Sequence, residues 1–208
     1  MREEPAGLCI LIGADTFDPD VNGTAVFTRE LAVRLSRHGH TVHIVAPSGS
    51  MHTRTEIEVI EGERLLVHRV RSVRWPLHDT MRVADPLEAR HVVGRIVEHV
   101  HPDVVHVQSV LNIGHAVLVS ARARGIPVVA TNHIMPENLM AYSGLPGRLQ
   151  PVLTRAGWRY VARALEPRLV GPGQIGEGPR VARREREEME RPLRRGRRRR
   201  RRRGGLLQ

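Results

Sequence analysis

The stretch Leu8-Cys9-Ile10-Leu11-Ile12-Gly13-Ala14-Asp15-Thr16-Phe17-Asp18-Pro19-Asp20-Val21-Asn22-Gly23-Thr24 sets an apolar run, a polar loop and the start of an amphipathic segment in direct succession. Residues 7–14 are short, continuous and apolar, the pattern of a parallel strand buried on both faces. Asp18, Pro19, Asp20, Asn22 and Gly23 are loop formers. From Thr24 to His38, Phe27, Leu31 and Leu35 recur every four residues, with Arg29, Arg34 and Arg37 on other faces. That spacing predicts a helix with one stripe on the core. Its free N–H groups point back at the loop and favour anions, phosphate above all. Asn22-Gly23 is expected to let the backbone approach a ligand, because Gly has no side chain and tolerates positive φ. The local reading is an α/β ligand site at the end of the first strand.

The same alternation continues along the chain. Gly39 stops the helix, and Thr41 to Ala46 reads as the second strand. Glu56–Ile60 and Leu65–Val70 flank Glu61-Gly62-Glu63 and predict a hairpin or two edge strands. Residues 71–84 read as irregular. Pro86 suits a helix first turn that runs on to Val100. Asp103–Val107 is a strand, Asn112–Arg124 a helix stopped by Gly125, and Pro127–Ala130 a strand that opens into Thr131-Asn132-His133. Arg148–Leu165 completes the pattern as a helix. Strand alternating with helix implies the α/β class, with a doubly wound, Rossmann-like parallel sheet. Ligands of such sheets bind outside the carboxyl ends of the strands. Three loops meet there: Asp15–Thr24, Gln108–Ile113 and Thr131–Tyr142.

Composition bounds the rest. The 208 residues suffice for one good core, and 40% of them are hydrophobic. The single cysteine, Cys9, rules out an internal disulfide and is expected as a buried, inert thiol. No run reaches the ~18 apolar residues of a membrane span. Two acids follow Met1-Arg2 where a signal peptide needs positive charge, so the expected location is cytoplasmic. The net charge of +11 is uneven. Residues 1–165 hold 18 Arg against 16 Asp and Glu, whereas 166–208 hold 15 Arg against 6 Glu. All basic residues are arginine. Beyond Pro167 the chain has few large apolar residues and ends in seven consecutive arginines, 197–203. Such a tail cannot repay the entropy of ordering. The expected domains are therefore a body over 1–165 and a disordered Arg/Gly-rich tail over 166–208, with at most a short helix around 180–191.

Several of these motifs together carry a family resemblance. Asp15–Ser48, with its Asn-Gly pair and Gly39-His40-Thr41-Val42-His43-Ile44-Val45-Ala46-Pro47, resembles the opening of retaining GT-B glycosyltransferases. That group includes the phosphatidylinositol mannosyltransferases. The likeness resumes at His101–Ser109 and Gly125–Tyr142 and covers about residues 7–165. It implies the N-terminal, acceptor-side domain of an enzyme that moves a hexose, such as mannose or glucose, with retention. The donor would be a nucleotide diphosphate sugar such as GDP-mannose or UDP-glucose, and the acceptor a hydroxyl of a lipid or glycan. The resemblance implies no cofactor, no essential metal and no protein nucleophile, because the donor phosphate helps to deprotonate the acceptor. It places Gly23 beside the donor diphosphate and the acceptor. His133, in the Thr-x-His pattern, would contact the transferred sugar and serve catalysis. Asn22, Thr24, Glu137 and Asn138 complete the expected donor and acceptor contacts. Asn22 could instead bond its own loop, and Glu137 or Asn138 could cap the next turn. Peripheral contact with the inner face of an anionic membrane goes with lipid acceptors.

The resemblance stops near Leu165, where the family continues into a second domain with two glutamates eight positions apart. Glu177 and Glu185 have that spacing but no strand ahead of them, which reads as coincidence. The tail reads as out-of-frame or truncated sequence, and the chain alone is expected to be almost inactive. A reading of a different class is a catalytically inactive α/β domain that binds anionic partners, membrane lipid or nucleic acid, through its arginines. No specific nucleic-acid fold is expected. Two further rivals fail on motif. His38, His40, His43, His99, His101 and His106 lack the paired spacing of a zinc site. Gly13 is followed by Asp15, Thr16 and Phe17 rather than by the Gly-x-Gly-x-x-Gly of a dinucleotide oxidoreductase.

Overall fold

A computed structural model describes residues 7–75, 81–133, 135–137 and 147–166. Asn138, the rest of the loop to Tyr142, Glu177, Glu185, the expected helix at 180–191 and the arginine run lie outside the described residues.

The elements follow the sequence periodicities closely. Strand β1 (Cys9–Gly13) leads through the polar loop to helix α1 (Gly23–Arg37) and strand β2 (Thr41–Pro47). Strands β3 (Arg54–Ile60) and β4 (Glu63–Val70) form an antiparallel hairpin. Its two-residue turn, Glu61-Gly62, has φ of 50° and 84°, the left-handed geometry that matches the twist of paired strands. Residues 71–84, expected to be irregular, hold a small antiparallel ribbon of β5 (Val73–Arg74) and β6 (Arg82–Val83). Two-residue strands are too short to show any alternation, which is why the sequence hid them. Then come α2 (Pro86–Val100), β7 (Val104–Val107), α3 (Ile113–Ala123), β8 (Val128–Ala130) and α4 (Gln150–Leu165).

The main sheet has the order β3-β4-β2-β1-β7-β8. Every pairing in it is parallel except β3 with β4. The chain builds outward from β1 to β4, then returns through α2 to place β7 on the other flank of β1. This reversal is the doubly wound topology, and it opens a crevice between the loops that follow β1 and β7. Strand alternation divides the core. Cys9 and Leu11 of β1 join α2 and α3 on one face, while Ile10 and Ile12 join α1 on the other. Cys9 is fully buried in that core.

Helix ends are set by local chemistry. Asp85 caps α2 by accepting from the Leu87 and Glu88 amides, and Pro86 follows at the first helical position. Phe27 departs from its expected place on the core stripe of α1. It is 43% exposed, and the buried side of the helix is instead built by Ala25, Thr28, Ala32 and Val33.

Candidate functional site

Asp15, directly after β1, organises the crevice. Its Oδ1 accepts from the Ile113 amide at 2.6 Å and the Asn112 amide at 3.1 Å, and more distantly from Gly114. Its Oδ2 accepts from the Ser109 hydroxyl. Asn112 makes no side-chain cap of its own helix. It bonds Ala84 through both its amide oxygen and its amide nitrogen. Helix α3 is thus capped by a carboxylate from the far side of the switch point. A buried carboxylate meeting a helix N-terminus is electrostatically favourable, and it fills that anion site with a protein group. Gly114 is required by the same closeness, since a Cβ there would collide with the Ser109 carbonyl oxygen. Phe17, buried beneath the Arg69 guanidinium at 5.3 Å, anchors the rest of the loop.

The N-terminus of α1 is open by contrast. Asn22 Oδ1 accepts from the Ala25 amide at 2.9 Å and from the Thr16 hydroxyl at 3.2 Å. Asn22 is therefore a cap, the bland reading of that residue. Thr24 lends its carbonyl to the Thr28 hydroxyl. Gly23 is exposed, and a Cβ on it would meet nothing within 4 Å. The expectation that Gly23 uses positive φ is corrected: Gly39, Gly62 and Gly125 do so among the described glycines, and Gly23 does not. As the first residue of a regular helix it needs no unusual backbone. The property it supplies is empty space over the helix end.

His133, at the mouth of β8, meets the other two loops. Its Nε2 lies 3.0 Å from Gln108 Oε1, and its ring packs against Phe27 with centroids 4.9 Å apart. A carbonyl oxygen only accepts, so Nε2 carries the proton and Nδ1 is left as an acceptor. Burial pulls the His133 pKa below the ordinary histidine value, which favours the neutral ring. His106 lies close by, bonded through Nε2 to the Thr131 hydroxyl at 2.9 Å. Burial, then the His133 charge, lowers its pKa as well. Gln108 is fully buried, and among the described residues its Nε2 has no hydrogen-bond partner. Glu137 lies beyond His133 and accepts from the Trp158 indole at 2.7 Å, which ties the loop to α4.

The profile of Glycosyltransferase Family 4 matches residues 21–169, well over half of the chain. The chain belongs to this family. As a family member it is 30% identical over 154 residues to the GDP-mannose-dependent alpha-mannosyltransferase of Mycobacterium tuberculosis, across 74% of this chain and 38% of that protein. A protein of the same name from Corynebacterium glutamicum is 31% identical over 121 residues, 58% of this chain and 28% of the relative. The alpha-monoglucosyldiacylglycerol synthase of Streptococcus pneumoniae is 26% identical over 141 residues, 68% of this chain and 30% of that enzyme. The catalytic domain of starch synthase IV from Arabidopsis thaliana, bound to ADP and acarbose, aligns with a TM-score of 0.43 at 17% identity, covering 68% of this chain and 38% of that one. The chain thus spans well under half the length of the curated relatives it matches.

For this family member the fold brings Gly23, Asn22, Thr24 and His133 to one end of the sheet, with Phe27 of α1 bridging to His133. Asn138 lies outside the described residues. Sequence reasoning missed Asp15, Gln108 and Phe27 as individuals. Their distance in the chain from their partners, 94 residues for Asp15 and Ser109, left no local signal. Among the described residues no three His, Cys, Asp or Glu side chains gather in a metal-holding group. The suspected histidines have other bonds: His43 with His68, His106 with Thr131, His38 with the Arg34 carbonyl and His40 with the Leu8 amide. No described helix is long and apolar enough to cross a membrane.

Proposed function

We propose that this chain is the acceptor-side domain of a retaining hexosyltransferase that takes its sugar from a nucleotide diphosphate donor. Membership of Glycosyltransferase Family 4 supports the transfer reading. The observation that carries the site is the His133–Phe27 contact, which sets the imidazole beside the helix whose N-terminus is open at Gly23. The donor diphosphate lies over Gly23, where the first helical amides and the absence of a Cβ favour phosphate. His133 is neutral, donates a hydrogen bond from Nε2–H to Gln108 Oε1 and presents Nδ1 as an acceptor to a hydroxyl of the transferred hexose. The donor is GDP-mannose or UDP-glucose, the acceptor a lipid or glycan hydroxyl. The expected setting is the cytoplasm, at the inner face of the membrane.

Joining residues 1–165 to the C-terminal domain of the Mycobacterium tuberculosis relative tests the reading. Turnover of GDP-mannose by the chimera, lost again on His133→Ala, is the expected result. A His133→Ala chimera as active as its parent would refute the role given to the imidazole. The chain by itself should bind the nucleotide-sugar weakly and turn over little, because orientation of both substrates supplies roughly 7–11 kcal/mol of barrier lowering.

A further inference from the structure

Gln108 is a buried polar side chain that the fold leaves half used. It directly follows β7, and its amide donates to the Gly13 carbonyl at 2.9 Å. The end of the neighbouring β8 is tied in alike, by the Thr131 amide on the Val107 carbonyl at 2.9 Å. Gln108 and His133 therefore stand on adjacent strand ends whose backbones are fixed. The Gln108 side chain is fully buried. Its Oε1 accepts from His133 Nε2–H at 3.0 Å, while among the described residues its amide nitrogen has no hydrogen-bond partner. A buried donor without a partner costs more than one neutral hydrogen bond returns. For stability alone, an apolar side chain of the same length would serve at least as well.

We infer that Gln108 is a positioning residue that fixes the His133 tautomer and so makes the site demand a hydroxyl of the sugar. The inference rests on the transfer reading above. A carbonyl oxygen accepts and cannot donate, so it selects the ring form with its proton on Nε2. His106 gives the contrast. Its partner is the Thr131 hydroxyl, which can take either role and selects no tautomer. Phe27 holds the His133 ring from a second direction, with centroids 4.9 Å apart and planes tilted by 56°. Burial lowers the His133 pKa and so favours the neutral ring. With ring and proton both placed, Nδ1 is an acceptor only. A ligand group that faces it has to bring a proton, which a hexose hydroxyl does and an ether or carbonyl oxygen does not. The unpaired amide nitrogen of Gln108 is the stability given up for that selection.

The test uses the full chain with isotope-labelled histidine, observed by NMR well above the His133 midpoint. Parent His133 should be the Nε2–H tautomer. Gln108→Glu, whose carboxylate also only accepts, should keep that tautomer once the pH exceeds its own midpoint. Gln108→Met should show both ring forms and a urea midpoint no lower than the parent's. GDP-mannose and UDP-glucose are titrated into the same samples beside GDP and UDP. Gln108→Met should weaken the nucleotide-sugars several-fold more than the nucleotides, and Gln108→Glu should recover most of that difference. An Nδ1–H tautomer in the parent would overturn the assignment. So would a Gln108→Met chain that is less stable than the parent, or one that keeps a single Nε2–H tautomer. Nucleotide-sugar binding with equal losses for sugar and nucleotide would sink this inference alone. A parent chain that shows the Nε2–H tautomer but binds neither nucleotide-sugar would sink the transfer reading, and the demand for a sugar hydroxyl with it.

Discussion

Asp15→Ala should be among the most damaging single substitutions in this fold, because Asp15 ties the loop after β1 to the start of α3. The carboxylate is buried and anchors the Ile113 and Asn112 amides at 2.6 and 3.1 Å as well as the Ser109 hydroxyl. Hydrogen bonds to a charged group contribute roughly 1.5–3 kcal/mol each, so losing the two short amide bonds costs about 3–6 kcal/mol. That is a large share of the roughly 5–15 kcal/mol that holds a domain together. Asp15→Asn keeps an acceptor oxygen and gives up the charge at the α3 N-terminus, at a cost of about 1–2 kcal/mol. Urea denaturation followed by circular dichroism measures both, with an unchanged slope showing that the unfolded states match. The alanine variant should also gain more from added phosphate than the parent does, because its helix end is vacant. An alanine variant within about 1 kcal/mol of the parent would refute the capping argument.

Other outcomes follow from the same geometry. Gly23→Val should leave the melting temperature nearly unchanged, because a Cβ there meets nothing within 4 Å, yet abolish nucleotide-sugar binding by calorimetry; equal affinity in mutant and parent would remove Gly23 from the site. Gly114→Ala should cost about 3 kcal/mol or more in the same urea assay, since its Cβ meets the Ser109 backbone oxygen, which has no freedom to swing away. Burial depresses the pKa of both His133 and His106, so the folded state binds fewer protons than the unfolded one. Stability from these two groups should be complete above the unfolded value of roughly 6.5 and decline as pH falls through the folded values. Imidazole NMR titration should find both midpoints below that of free histidine, and Gln108→Glu should raise the His133 midpoint by placing a negative charge on its Nε2 proton. A midpoint for His133 at or above the free value would contradict its burial.

Much of the architecture was legible because it depends on local periodicity. The apolar run of β1, the stop at Gly39, the Glu61-Gly62 turn and Pro86 each act within a few residues, and each element stands where its pattern predicted. The β5–β6 ribbon was illegible because two residues carry no period. Phe27 was misread because four-residue spacing identifies a helix stripe without saying which stripe faces the sheet, and smaller side chains took the inner positions. Asn22 as a cap was foreseen as the bland alternative, and an Asn before a helix has few other habits. Gly23 was named for two properties, a missing side chain and tolerance of positive φ, and only the first is used: the sequence shows that a side chain is missing but not whether the backbone turns or a space is kept. Asp15 and Gln108 take their importance from partners on another loop, which only the strand order brings near.

The bond between Asp15 and Ser109 closes a loop of 94 residues, and that separation bears on how the protein is made. While β1, α1, β2 and the hairpin emerge from the ribosome, their half of the sheet can pair, yet Asp15 has no amides to hold. It waits as an unpaired carboxylate beside an open edge of β1 until β7 and α3 arrive. Closing long loops comes at an entropic cost before any contact rewards it, so this step is slow relative to hairpin formation. Any pause or cleavage before residue 113 leaves a sheet edge and a charge exposed together, a species prone to wrong pairing. The crevice is therefore a late product of synthesis, and its assembly reports that both flanks of the sheet have joined.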